Sequence, residues 1–179
     1  MPDESRLQAM LDTYEIRDLA QRYAVAVSFK DVEAIVELFD PEVDNGSLGP
    51  GREGVRKFYE NFFRVQNRRA LLQVGTHRVD LLGDDLATGV AFTRSWSGAP
   101  GEGWSDVMVV YFDTYRKRDG RWGFVHRRET IHAVMASRTD ELEVDAGSTG
   151  RSPLPRSWEY WDRWKEKVAK GSLAERRGS

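Results

Sequence analysis

Apolar residues in the first third of the chain recur at the three- and four-residue spacing of amphipathic helices. One such stripe runs over residues 5–27, with charged residues between the apolar ones. A second stripe covers residues 31–39, where Asp31 is suited to cap the helix and Pro41 follows its end. A third covers residues 55–63. The pattern predicts three N-terminal helices.

After residue 70 the apolar period changes to two, the period of a β-strand. Asp119-Gly120 is a strong signal for a hairpin turn, and the other connections are also short. Short connections join antiparallel neighbours, so we predict an α+β fold with three helices packed on a curved antiparallel sheet. The four predicted strands cover residues 74–82, 86–97, 104–118 and 121–135.

The third predicted strand is apolar on both faces. Residues 107–112 read VMVVYF, so neither face of the sheet is suited to water. The helices cover one face, and the other would expose a large apolar patch in a monomer. We therefore expect a homodimer or a higher homo-oligomer.

The last part of the chain differs from the rest. We predict one α+β domain over residues 1–135 and an extension over residues 136–179. The extension begins as a polar loop and continues as a helix with Trp158, Trp161 and Trp164 at helical spacing. Because tryptophans contribute large apolar areas, we expect this helix to dock on the protein.

Composition excludes several kinds of chemistry. The chain has 27 Lys and Arg against 29 Asp and Glu, so nucleic acid is not an expected partner. It has no cysteine, and its three histidines lack the spacing of metal ligands. No Gly-rich phosphate loop is present, so we expect neither cofactor nor metal. We see no secretory signal or membrane-spanning run, and expect a cytoplasmic protein without a membrane partner.

His77 is the first candidate for chemistry. It lies in a predicted strand and shares a face with Val79 and Leu81, which places a titratable ring on an apolar face. The structural alternative is a histidine whose ring is satisfied by a backbone carbonyl or lies at a solvated rim of the sheet.

Asp113 is the second candidate. It follows the apolar run and shares a face with Val109 and Tyr111, which indicates a buried carboxylate. A buried carboxylate must be paired, hydrogen-bonded or protonated. Arg127 and Arg128 on the next strand are its possible partners, and a purely structural ion pair is the alternative to a catalytic role.

Four segments together resemble the SnoaL-like branch of the nuclear transport factor 2-like superfamily, which includes scytalone dehydratase. These are IRDLAQRYAVAVSFKDVEAIVELFDPEVD, GREGVRKFY, GTHRVDLLGDDLA and YFDTYRKRDGRWGFVHRRE, within residues 5–135. The resemblance implies a cone of curved sheet closed by helices around an apolar pocket. His77 matches the family's pocket histidine, and Asp113 falls where many SnoaL-like sequences have Asp. Ser28 stands where the family usually has an Asp at the end of the first helix.

The resemblance also implies where a substrate would bind, between the first helix and the sheet. The expected substrate-binding residues are Tyr23, Ser28, Phe39, Phe58, Phe62, Val79, Phe92, Val109, Tyr111 and Arg127.

Taken together, these features favour a cofactor-independent lyase or isomerase. Dehydratase-like or cyclase-like acid-base chemistry would act on a small apolar cyclic molecule such as a polyketide, steroid or aromatic intermediate. His77 would move the proton, and Asp113 would hold the ring and favour its protonated form. The alternative is a noncatalytic domain of the same fold that binds a small molecule or assembles subunits. The two differ in whether His77 lies in a closed pocket within hydrogen-bond reach of a second ionisable group.

Overall fold

The described residues form three helices followed by four strands, in the order that the sequence predicts. A computed structural model describes residues 3–45, 49–65, 69–99 and 103–137. The predicted Trp-rich helix of the extension lies outside these residues. The helices are α1 (Glu4–Ser28), α2 (Val32–Glu37) and α3 (Gly51–Val65), and the strands are β1 (Arg69–Leu81), β2 (Leu86–Ala99), β3 (Gly103–Arg118) and β4 (Arg121–Ser137).

The four strands form one sheet in the order β1-β2-β3-β4, each antiparallel to the next. Register shifts interrupt the pairing of β1 with β2 and of β3 with β4. Such bulges bend a strand and increase its twist. The prediction of an α+β fold with a curved antiparallel sheet is confirmed.

The bulge in β1 changes which side chains point toward the helices. Val74 pairs with Thr93, and the next pair is His77 with Ala91. Between these two pairs β1 advances by three residues and β2 by two. Before the shift the even position Leu72 is buried, and after it the odd position His77 is buried. The extra residue therefore turns His77 toward the core.

The core lies between α1 and the inner face of the sheet. Ile16 of α1 and Tyr115 and Phe124 of the sheet are fully buried, together with Ile35 and Leu38 around α2. Burying an aliphatic or aromatic side chain of this kind contributes about 1.5–3 kcal/mol. The chain after α2 also adds to the sheet, because the Phe124 N–H donates to the Leu38 carbonyl at 3.0 Å.

The outer face of the sheet carries exposed apolar side chains. Phe92, Met108 and Phe112 all lie on this face and are all exposed. The homodimer expected from the sequence stays a prediction. None of the described helices is long and apolar enough to span a membrane.

The buried carboxylate of Asp12 joins α1 to the part of the β3–β4 hairpin that lies next to its turn. Asp12 accepts hydrogen bonds from Lys117 Nζ at 2.6 Å and from Trp122 Nε1 at 2.9 Å. Burial acts to raise the pKa of Asp12, but the hydrogen bonds from Lys117, Trp122 and Gln8 outweigh it and lower the pKa. A lowered pKa means that the folded state prefers the ionised form.

Replacing Asp12 by Asn should lower the free energy of unfolding at pH 7 by about 1–3 kcal/mol, because three donors lose a charged acceptor. The contribution of Asp12 is fully present above the unfolded pKa of about 3.9 and disappears as pH falls through the lower folded pKa. Urea denaturation of wild type and Asp12→Asn should therefore converge in strong acid. The control is Asp18→Asn on the exposed side of α1; an equal loss in both variants would contradict the prediction.

Candidate active site

His77 is the titratable group that the β1 bulge turns toward the core. It is 9% exposed. Its Nε2 lies 3.0 Å from Oη of Tyr115 on β3. His77 is thus buried and within hydrogen-bond reach of a second ionisable group, which is one of the two conditions that the catalytic hypothesis sets.

Tyr115 lies between His77 and Asp113. The Tyr115 hydroxyl donates to Asp113 Oδ2 at 3.0 Å, since residues two apart on one strand share a face. The Tyr115 hydroxyl thus connects Asp113 to His77. The sequence suggested instead that Asp113 would contact the His77 ring directly. Tyr115 has no role in the prediction from the sequence, although its position two residues after Asp113, on the same face, was an available signal.

Asp113 forms a buried ion pair with Arg127. The two residues are direct partners across β3 and β4. Arg127 Nε donates to Oδ1 at 2.7 Å and Nη2 donates to Oδ2 at 2.8 Å. Their side chains are 9% exposed for Arg127 and 0% for Asp113. Of the two arginines that the sequence offered, the structure selects Arg127, while Arg128 lies over Phe112 on the outer face.

Aromatic rings surround the Arg127 guanidinium. Its carbon lies 4.2 Å from the ring centre of Tyr23, 4.3 Å from that of Tyr111 and 4.0 Å from that of Phe124. Burial opposes its charge, but Asp113 outweighs that effect and the pKa of Arg127 lies well above its usual range. Among the described residues, its buried Nη1 has no hydrogen-bond partner. Arg127 therefore keeps one donor group available.

A pair of tyrosines lies beside this cation. The hydroxyls of Tyr23 on α1 and Tyr59 on α3 are 2.6 Å apart, and both side chains are buried. Burial raises the pKa of Tyr59 well above its usual value, so its hydroxyl stays protonated. Tyr59 is not among the site residues predicted from the sequence, although it lies on the apolar stripe of the third helix.

These aromatic residues line a cavity of about 500 Å³ between the helices and the sheet. A volume of this size is in the range of small-molecule sites. Five of the expected substrate-binding residues line it, whereas His77 is not among its lining residues. The lining consists of Tyr23, Phe39, Asp44, Asn45, Val55, Phe58, Tyr59, Tyr111, His126, Arg127 and Glu129.

Three further expected residues lie near the site without lining this cavity. Phe62 stacks on Phe58, with ring centres 5.8 Å apart. Val79 and Val109 lie on the inner face of the sheet, where Val79 pairs with Gly89 and Val109 with Thr93.

Phe92 lies on the wrong side of the sheet for the role expected from the sequence. Its neighbours Ala91 and Thr93 are buried toward the helices, so the alternation of the strand turns Phe92 outward. It is 52% exposed. The expectation that it lines the pocket therefore requires correction.

Ser28 ties the end of α1 to the sheet. Its hydroxyl donates to the Ala24 carbonyl at 2.7 Å and accepts from the Leu72 N–H at 2.9 Å. A serine hydroxyl has a single proton, and here the backbone already uses it. This geometry gives Ser28 a structural task where the resemblance suggested substrate binding.

The surroundings of His77 favour its neutral form. Burial is the largest effect and lowers the pKa; the Asp113 charge raises it, while Arg127 and Arg17 lower it further, and the net shift is downward. The sequence analysis expected Asp113 to favour the protonated ring. That effect is outweighed because Arg127 balances the Asp113 charge and burial disfavours a cation.

The site therefore holds a neutral imidazole, a balanced ion pair and several neutral phenols. A neutral imidazole can accept a proton, and Arg127 and the tyrosines can donate hydrogen bonds. Within the described ranges, no group of three or more His, Asp and Glu side chains is placed to hold a metal ion.

Solved structures with this fold include several proteins of known or suggested activity. LinA-type3 hexachlorocyclohexane dehydrochlorinase from Novosphingobium barchaimii LL02 is 16% identical, with a TM-score of 0.67 over 75% of this chain and 95% of that chain. A putative scytalone dehydratase from Novosphingobium aromaticivorans is 18% identical, with a TM-score of 0.64 over 73% and 90%. An NTF2-like protein with a cystatin-like fold from the same species is 21% identical, with a TM-score of 0.63 over 83% and 96%. At these identities the likeness shows the fold.

The sequence comparison identifies the family. No curated protein matches the chain. The SnoaL-like domain family matches residues 8–128, which is more than half of the chain. The resemblance to SnoaL-like proteins found in the sequence is confirmed, and the chain belongs to the SnoaL-like domain family.

Proposed function

We propose that this protein is a cofactor-independent lyase or isomerase that acts on a small, neutral, mostly apolar cyclic molecule. The observation that carries the proposal is the buried neutral His77, hydrogen-bonded through Tyr115 to an ionised Asp113. Its Nδ1 is buried and has no hydrogen-bond partner among the described residues. A buried acceptor without a partner is costly unless a ligand or a reaction uses it.

In this mechanism His77 takes a proton from a carbon of the substrate. In an elimination, the C–H electron pair becomes the new C=C bond while the leaving group departs with its own bonding pair. In an isomerisation, the imidazolium returns the proton to a different carbon. A positioned base of this kind contributes about 100- to 10,000-fold to the rate.

The cavity favours a neutral substrate with one hydrogen-bond acceptor. The charge of Arg127 is balanced by Asp113, and Asp44 and Glu129 add carboxylates to the lining. An anionic substrate would therefore be repelled, whereas a carbonyl, hydroxyl or halogen substituent could accept from the free Nη1 of Arg127. The aromatic walls would bind the apolar ring system.

The fold relatives support elimination chemistry. One is a hexachlorocyclohexane dehydrochlorinase and another a putative scytalone dehydratase. Both names describe removal of a small leaving group from a cyclic molecule. The proposal requires that a substrate in the cavity reaches His77.

A noncatalytic binding domain is the second candidate, and two observations favour it. His77 is not among the lining residues of the 500 Å³ cavity. Ser28 replaces the usual acidic residue, and the backbone groups of Ala24 and Leu72 occupy its hydroxyl. Such a domain would bind the same neutral molecules and leave them unchanged.

Replacing His77 by Gln should lower turnover at least about 100-fold while the protein stays folded, because glutamine keeps the polarity but cannot take the proton. The assays are chloride release from hexachlorocyclohexane and enone formation from 3-hydroxycyclohexanone. His132→Gln, at an exposed histidine of β4, is the matched control. Ligand retention by native mass spectrometry without turnover in wild type would favour the binding domain instead.

The pH profile of kcat/KM should show an acidic limb below pH 6.5, the usual pKa of histidine. Burial lowers the pKa of His77, so the neutral base persists to lower pH than in a free histidine. The midpoint of this limb should lie below pH 6.5, and activity should rise to a plateau on its alkaline side. If the midpoint of the acidic limb lies at or above pH 6.5, or if the limb persists in His77→Gln, a group other than His77 causes it.

Replacing Asp113 by Asn should lower the free energy of unfolding by about 3–5 kcal/mol, because Arg127 is left as a buried cation without its counter-charge. Asp80→Asn is the control, since its ion pair with Arg78 is exposed and its loss should change the free energy of unfolding little. Urea denaturation measures both. If Asp113→Asn is strongly destabilised while His77→Gln keeps full turnover, the hydrogen-bonded residues from Arg127 to His77 have a structural role only. The catalytic assignment then fails.

A further inference from the structure

The hydrogen-bonded row from Arg127 to His77 allows one arrangement of protons. Asp113 receives two N–H donors from Arg127, so it is a carboxylate and can only accept. Tyr115 is buried, and burial together with the Asp113 charge keeps its pKa far above neutral. Its single proton therefore points to Asp113, which leaves the Tyr115 oxygen to accept from His77 Nε2.

This arrangement determines which nitrogen of His77 is the base. A neutral imidazole carries one proton, and a proton on Nε2 leaves the lone pair on Nδ1. We propose that Tyr115 is a positioning residue that holds His77 in the Nε2-protonated tautomer, so that Nδ1 is the atom that accepts the proton from the substrate. The assignment of the tautomer follows from the hydrogen-bond geometry and the protonated Tyr115, and its use in catalysis rests on the proposed function.

Gly89 on β2 makes room for the contact between His77 and Tyr115. A Cβ at this position would lie 3.0 Å from Tyr115 Cε2 and 3.1 Å from His77 Nε2. It would also lie 2.9 Å from the carbonyl oxygen of Arg78, which belongs to the paired strand and cannot turn away. A side chain at this position would therefore separate the two rings. We infer that Gly89 supports the hydrogen bond between His77 and Tyr115 by leaving this space free.

The arrangement also explains how a proton at Nδ1 would be stabilised. The imidazolium would keep its Nε2 proton on Tyr115, whose own proton would remain on Asp113. No proton has to move along the row, because the hydrogen bonds strengthen as the ring becomes positive. Arg17 and Arg127 are the cations near the ring and oppose this charge, while Asp113 favours it.

Nuclear magnetic resonance of the full chain, labelled with ¹⁵N-histidine, tests the tautomer directly at a pH where His77 is neutral. The signals of His77 are assigned by their loss in His77→Gln. In wild type we expect a slowly exchanging proton on Nε2 and an unprotonated Nδ1. Tyr115→Phe should expose the Nε2 proton to fast exchange. Tyr111→Phe removes a buried hydroxyl from the same strand without touching His77 and should leave the signal unchanged.

Two outcomes would overturn the proposal: a proton on Nδ1 in wild type, or equal protection of the Nε2 proton in wild type and Tyr115→Phe. If Tyr115→Phe does not fold, Gly89→Ala provides the second variant, and it should weaken the protection of the Nε2 proton because the added Cβ would press between the two rings. Full turnover in His77→Gln would instead remove the proposed function and leave the tautomer assignment intact.

Discussion

The rest of the site depends on the buried ion pair between Asp113 and Arg127. Removing two charges from water costs several kcal/mol for each ion, so such a pair persists only with good geometry and additional partners. Here the guanidinium makes two parallel hydrogen bonds to the carboxylate. Three aromatic rings also face its carbon at 4.0–4.3 Å. These contacts offset the cost and fix the side chains of two adjacent strands.

The ion pair determines the charge and the hydrogen bonding both on the His77 side and on the cavity side of the site. On one side Asp113 stays ionised and accepts the Tyr115 proton, which orients the contact with His77. On the other side Arg127 and its aromatic neighbours form part of the cavity wall. Because the two charges balance, the cavity gains a hydrogen-bond donor without a net charge, and the imidazole stays neutral despite a carboxylate nearby.

Much of this architecture could be predicted from local patterns. The change of apolar period near residue 70 correctly separated three helices from four strands, because each element buries one face and repeats at its own period. The parity of β3 placed Tyr111, Asp113 and Tyr115 on one face, and the adjacent strand offered Arg127 as a partner. Phe92 shows the limit of the same reasoning, since its apolar side chain suits a pocket while the register turns it outward.

The amino-acid sequence by itself determined the elements, their antiparallel order and the types of residue available for chemistry, since these follow from short-range periodicity and composition. Only the tertiary structure decided that a bulge turns His77 inward, that Tyr115 separates it from Asp113, and that Tyr59 reaches Tyr23 from α3. The physical reason is distance along the chain. A bulge and a hydrogen bond between residues 36 or 38 positions apart depend on how whole elements pack, and no local pattern records that packing.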